Sequence, residues 1–159
     1  MKAKEFTMSY GVGVSNKRLP SFDKALLAAG VGNYNLVRLS SILPAHCVEI
    51  PVKELPKHLD EGSLLPTAYS TISSDKPGTR IASAVALGIP ADKDKVGVIM
   101  EYSAEGITEA DAIAVVKSMV EEAFAERKWK LAEVKTASAE ATVVFPGSQY
   151  TTFACLCEW

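Results

Sequence analysis

The sequence predicts one α+β domain with many strands and two helices. Three observations predict it. Short apolar stretches are separated by clusters of Gly, Pro, Ser and Asp, the pattern of strands and turns. Apolar residues keep helical spacing over a long span only once, after Thr108. The 159 residues are 48% hydrophobic and 23% charged, enough to fill a single core.

Phe6 to Val14 mixes β-formers with glycine and is expected to be a strand. Ser21 is expected to cap a short helix over Phe22 to Ala29, closed by Gly30. Asn35 to Ile42 reads as a strand that stops at Pro44, and Val48 to Val52 as another. Lys53 to Gly62 is polar, contains Pro56 and is expected to be a loop. Leu64 to Ser73 and Arg80 to Ile89 read as strands flanking the turn Ser74-Asp-Lys-Pro-Gly-Thr79. Pro90 to Lys95 is a second turn, and Val96 to Tyr102 an apolar, buried strand. Thr108 and Asp111 form a capping box for the long helix. Ala112, Val115, Val116, Met119, Ala123 and Phe124 make its apolar face, and it ends near Lys128. Lys130 to Thr136 and Gln149 to Cys157 are expected as the last strands.

Charge and cysteine usage exclude several functions. Lys and Arg total 17 against 19 Asp and Glu, a net charge of -2, which argues against a nucleic-acid partner held by bulk charge. No apolar run approaches the roughly 18 residues of a membrane helix, so no membrane partner is expected. Met1-Lys-Ala-Lys-Glu-Phe6 is not followed by an apolar signal region, so a cytoplasmic location is expected. The cysteines are Cys47, Cys155 and Cys157. With only His46 and His58 to add, no metal site is expected, and Cys155 and Cys157 read as small buried side chains on one strand face.

Candidate chemistry begins with glycines. Gly11-Val-Gly13 and Gly30-Val-Gly32 start like dinucleotide fingerprints, but Asn16 and Asn35 stand where a third glycine belongs. Turns and close backbone approach explain them better. Ser40-Ser41 and Ser73-Ser74 are two serine pairs, each readable as strand-end or turn serines. Glu101 ends an apolar run. It is either a carboxylate surfacing at a strand end or one held against apolar walls, where desolvation would favour a proton donor. Asp23, in the first turn of its expected helix, is explained by the helix dipole unless it faces a pocket, with Leu26 on the same face.

Longer stretches add a resemblance. Ser21-Phe-Asp-Lys-Ala-Leu-Leu-Ala-Ala-Gly-Val-Gly-Asn-Tyr-Asn-Leu-Val-Arg-Leu-Ser-Ser-Ile-Leu-Pro44 resembles the pyruvoyl-dependent arginine decarboxylases. So do Gly62-Ser-Leu-Leu-Pro-Thr-Ala-Tyr69, Ile89-Pro-Ala-Asp-Lys-Asp-Lys95, Gly97-Val-Ile-Met-Glu-Tyr102 and Arg127-Lys-Trp129. The resemblance implies an αββα sandwich spanning residues 1–159 as one domain, self-cleaved at Ser40-Ser41 into a β chain (1–40) and an α chain (41–159). It implies a covalent pyruvoyl group made from Ser41, with neither pyridoxal phosphate nor metal. Glu101 would be the proton donor, and Asn35 would hold the scissile carbonyl or the substrate. Asp23 would take the guanidinium of L-arginine, and Leu26, Ser40 and Ile42 would line the substrate site. The expected product is agmatine, and the expected assembly a trimer. Two alternatives stand beside this: the same cofactor acting on another amino acid, or an inactive homologue serving as a binding or assembly module.

Overall fold

A computed structural model describes residues 2–159. Its elements are β1 (Glu5–Ser15), α1 (Arg18–Ala28), β2 (Asn35–Arg38), β3 (Ile42–Leu43), β4 (Val48–Glu49), a 3-10 helix (Val52–Lys57), β5 (Leu64–Ser74), β6 (Arg80–Pro90), β7 (Gly97–Glu105), α2 (Glu109–Glu126), β8 (Leu131–Thr142) and β9 (Gln149–Glu158). They form a five-stranded sheet in the order β2-β5-β9-β1-β4 and a four-stranded sheet in the order β3-β7-β6-β8. The chain is thus a mixed α+β protein with two sheets, as expected.

Side-chain alternation places the layers. Along β9, Phe153, Cys155 and Cys157 turn toward α1 and pack with Ala25, Ala29 and Leu65. Ala154 and Leu156 turn the other way and meet Val85, Leu87 and Ile99 of the four-stranded sheet. Along β6, Ala82, Ala84 and Ala86 pack under α2 against Ala112, Val116 and Val120. Strands covered on both faces lose the polar alternation of a half-buried strand. That is why Arg80 to Ile89 looks almost uniformly apolar. Each fully buried Leu or Phe in these layers contributes about 2 kcal/mol by leaving water.

Helix α1 lies close on β1. A Cβ at Gly13 would sit 2.0 Å from the Ser21 carbonyl oxygen, and one at Gly11 would sit 2.2 Å from that of Ala25. These glycines therefore admit the helix backbone. Gly30, at φ +77°, ends α1 in a Schellman arrangement: its N–H donates to Leu27 O, and that of Val31 to Leu26 O.

The start of α1 corrects the expectation. The helix begins at Arg18, and Ser21 lies inside it. Pro20 does not prevent this, because the first turn needs no N–H donor. The Ser21 hydroxyl is buried, donating to Arg18 O at 2.7 Å and lying 2.7 Å from the Thr151 hydroxyl. Asp23 is consequently in the second turn, beyond the strong field of the dipole. The stretch 53–62 is also not simply a loop: its first part continues the 3-10 helix and buries Leu55 completely.

The strand expected over Val48 to Val52 is only Val48–Glu49, because the 3-10 helix takes over at Val52; elsewhere the agreement is close. Asp111 N–H donates to the Thr108 hydroxyl at 3.1 Å, and the Asp111 carboxylate accepts from Thr108 N–H at 2.8 Å, completing the capping box. Val120 joins the buried face of α2. Strand β8 runs past Thr136 to Thr142, because pairing with β6 carries the β-poor Ala-Ser-Ala segment. The turn at 75–79 passes the chain from one sheet to the other. Among the described residues, no helix is long and apolar enough to cross a membrane.

Candidate active site

The expected strand from Asn35 to Ile42 is broken in the middle, and the break falls on the first serine pair. β2 runs parallel to β5, from Asn35 opposite Leu64 to Arg38 opposite Thr67. Leu39 N–H still donates to Thr67 O at 3.0 Å. Two residues later the Ser41 carbonyl accepts from Ile99 N–H at 2.8 Å, and β3 pairs antiparallel with β7. The chain therefore leaves one sheet at Leu39 and joins the other at Ser41. The Ser40-Ser41 peptide is the link between two anchored residues. Ser40 is exposed and Ser41 half-buried. Ser73-Ser74 has a different setting, continuous with β5, where the Ser73 hydroxyl lies 2.7 Å from that of Thr151.

Glu101 stands on β7, two residues beyond Ile99. It pairs across the sheet with Val85, and Val85 and Ile99 both belong to the core between the sheets. Alternation along β7 turns Glu101 toward that same layer. Only one of its walls is apolar, however. Arg38 Nη2 donates to Glu101 Oε1 at 2.6 Å and to Tyr69 O at 3.0 Å. The guanidinium carbon lies 4.5 Å from the Tyr69 ring centroid. The hydrogen bond to Glu101 raises the pKa of Arg38 above its ordinary value, so it stays cationic. Glu101 thus has an apolar wall on one side and, on the other, an ion pair that bridges the two sheets.

Among the described residues, the other predicted residues make no hydrogen bond or ion pair with this cluster. Asp23 is exposed on α1 and makes no ion pair or hydrogen bond among the described residues. Leu26, three residues on, is half-buried against the α1 core. Leu19 and Leu27, four residues to either side of Asp23, are 75% and 52% exposed. Asn35 donates its side-chain amide to Gly62 O at 2.7 Å. Among the described residues its side chain makes no hydrogen bond to Ser40. Ile42 is exposed beside Ser41. A cavity of about 250 Å³, lined by Phe6, Leu43, Cys47, Leu87 and Lys95, opens just past β3. It contains none of Asp23, Asn35, Ser40, Ser41 or Glu101.

The family model described as pyruvoyl-dependent arginine decarboxylase matches residues 5–159. The chain belongs to that family. A pyruvoyl-dependent arginine decarboxylase of Pyrococcus furiosus is similar at 48% identity over 126 residues, 79% of this chain and 77% of the relative. One from Pyrococcus abyssi is 47% identical over the same shares. One from Methanocaldococcus jannaschii is 40% identical over 139 residues, 86% of this chain and 81% of its own.

Within a pyruvoyl-dependent arginine decarboxylase, two residues missed in the sequence become prominent. Arg38 is part of the family-like stretch, yet its charge alone gave no hint that it reaches across to Glu101. A basic residue two positions before the serine pair was the available signal. Glu158 is buried at the end of β9, with Oε2 lacking a hydrogen-bond partner, and burial pushes its pKa up to about 7. Among the described residues, no group of three or more His, Cys, Asp or Glu side chains could hold a metal ion. Cys155 and Cys157 are buried with their sulfurs 3.8 Å apart. The contact with Cys157, together with burial, pushes the Cys155 thiol well up.

Proposed function

We propose that this protein cleaves its own chain between Ser40 and Ser41 and then decarboxylates L-arginine to agmatine and carbon dioxide. The observation that carries the proposal is the passage of the chain between sheets at Leu39 and Ser41, with each residue hydrogen-bonded to a different sheet. A peptide held at both ends cannot relax away from an attacking neighbour, and the Ser41 hydroxyl is the adjacent nucleophile.

The chemistry balances as follows. Ser41 Oγ adds to the Ser40 carbonyl carbon, and the peptide becomes an ester. Loss of the Ser41 Cα proton breaks the Cβ–Oγ bond and releases Ser40 as a carboxylate. Water then adds at residue 41 and ammonia leaves, generating the pyruvoyl group. The Ser41 carbonyl, which would adjoin the keto carbon, already receives Ile99 N–H, so the chain fits the group. A pyruvoyl group supplies a keto carbon for the substrate's α-amine and a conjugated carbonyl that accepts the electrons released with carbon dioxide.

The remaining roles belong to this chain's side chains. Glu101, beside the crossover, delivers a proton to the substrate carbon after carbon dioxide departs. Asp23 takes the substrate guanidinium, since a carboxylate matches that planar fork of donors. Leu26, Ser40 and Ile42 line the substrate, and Asn35 positions it. We take the fold as the family's αββα sandwich, a single domain that becomes a β chain of residues 1–40 and an α chain of residues 41–159. Among the described residues, neither Asp23 nor Asn35 makes a hydrogen bond or ion pair with Ser41. The exposed stripe Leu19, Asp23, Leu27 supports a site completed between copies in a trimer. Purified protein incubated with L-arginine should release agmatine and carbon dioxide in equal amounts. Product from another amino acid but none from arginine would overturn the substrate assignment.

A further inference from the structure

Where the chain crosses between sheets it leaves part of one strand edge without a strand beside it. β2 ends at Arg38, opposite Thr67, while β5 runs on to Ser74. Carbonyls of alternate residues point to the same edge of a strand, so those of Thr67, Tyr69 and Thr71 all point to the β2 side. Each accepts a hydrogen bond from a different kind of donor. Thr67 O accepts from Leu39 N–H at 3.0 Å. Tyr69 O accepts from Arg38 Nη2 at 3.0 Å, and Thr71 O accepts from the Ser103 hydroxyl at 3.2 Å. Two side chains thus stand where a strand would have continued.

Both side chains tie β5 to β7. The Arg38 nitrogen that serves Tyr69 also donates to Glu101 Oε1 at 2.6 Å, and Ser103 follows Glu101 by two residues on the same face of β7. β5 and β7 belong to different sheets, and they hold the two ends of the crossover. Leu39 is bonded to β5, and Ser41 O accepts from Ile99 N–H of β7 at 2.8 Å. The Arg38 and Ser103 ties therefore set the gap that residues 39–41 must span.

That gap matters more to a reaction than to the fold. Arg38 is 56% exposed, and an ion pair this open adds little stability. The link from Leu39 to Ser41 is two residue steps, at most about 7 Å when extended. So short a link has no slack. A wider or narrower gap turns the dihedrals on either side of the Ser40-Ser41 peptide, and with them the direction from Ser41 Oγ to the Ser40 carbonyl carbon. Misplacing a reacting atom by about 1 Å can cost about 100-fold in rate.

We propose that Arg38 and Ser103 are positioning residues for self-cleavage: they fix the spacing of β5 and β7, so that the Ser40-Ser41 peptide is presented to the Ser41 hydroxyl. Glu101 serves this purpose as the acceptor for Arg38. The inference rests on the reading of Ser40-Ser41 as the cleaved bond.

Full-length chain made by cell-free synthesis and sampled over time by intact mass gives the cleavage rate directly. Arg38→Met removes the donors and should cleave about tenfold or more slowly than wild type, with Tm lowered by at most about 4 °C. Arg38→Lys keeps N–H donors and should cleave at least about threefold faster than Arg38→Met. Ser103→Ala should slow cleavage by about threefold or more. Val120, fully buried under α2, supplies the control for stability alone: Val120→Ala should lower Tm further yet leave the cleavage rate within about twofold of wild type. A folded Arg38→Met protein that cleaves within about twofold of wild type would overturn the proposal. So would an Arg38→Lys protein as slow as Arg38→Met, or a Val120→Ala protein slowed as much. Should Arg38→Met fail to fold, Ser103→Ala decides, and a wild-type rate in it is the contrary result. Folded wild-type chain that never cleaves would overturn the reading of Ser40-Ser41 as well.

Discussion

Replacing Glu101 by glutamine separates catalysis from folding. The side chain keeps its size and its place beside Val85 and Ile99, so no cavity opens. The charge is lost and the ion pair with it, while the amide oxygen remains an acceptor for Arg38 Nη2. The two partners are 26% and 56% exposed, and open pairs of this kind contribute less than about 1 kcal/mol. For a chain of this length that is a shift in Tm of at most about 4 °C. The protein should therefore fold and cleave. Turnover is another matter: an amide cannot supply the proton, and a positioned general acid is worth about 100- to 10,000-fold. The assay is agmatine release from L-arginine, after mass spectrometry has shown complete cleavage. A fully cleaved Glu101→Gln protein with kcat within about twofold of wild type would refute the reasoning, because so small a loss is far below a general acid's contribution.

Other expectations are as direct. Asp23→Asn removes a charged partner of the substrate guanidinium, so KM for arginine should rise about 10- to 100-fold with kcat little changed; an unchanged KM would remove Asp23 from the substrate site. Glu158 should make stability depend on pH. Burial lifts its pKa from the usual 4.5 to about 7, so between those values the native state holds a proton that the unfolded chain has released. Its contribution is complete below pH 4.5 and is lost as pH rises toward 7. The change is at most about 3 kcal/mol, and denaturant midpoints measured across this range should flatten in Glu158→Gln. An equally steep dependence in that variant would place the effect elsewhere.

Much of the fold was legible because its signals are local. The capping box Thr108 and Asp111, the Gly30 stop and the turn Ser74 to Thr79 each depend on a few neighbouring residues. What escaped was set by distant partners. Ser21 looked like a cap because serine favours that position, but the helix already starts at Arg18, a proline in the first helical turn is tolerated, and Thr151 gives the buried hydroxyl a partner. The strand through Asn35 to Ile42 reads as continuous because nothing local tells residues 35–38 and 42–43 apart. Only their neighbours, β5 and β7, do so. The site divides along the same line. The Ser41 carbonyl bonds to Ile99, two residues before Glu101 on β7, and the family-like stretches pointed to both. The Arg38 contact with Glu101 spans two sheets and has no periodicity to reveal it. Asp23 and Asn35 make no hydrogen bond or ion pair with Ser41 among the described residues.

The account depends most on the lability of one bond, and intact mass reads that bond directly. Purified mature protein should separate into a fragment of residues 1–40 and a second fragment, starting at 41, that resists amine-specific labelling. Because one water enters and one ammonia leaves, the two masses should sum almost to that of the intact chain, and Ser41→Ala should remain a single species. Fully active protein that is one uncleaved chain, or fragments together one water heavier with a free amine at residue 41, would contradict the account.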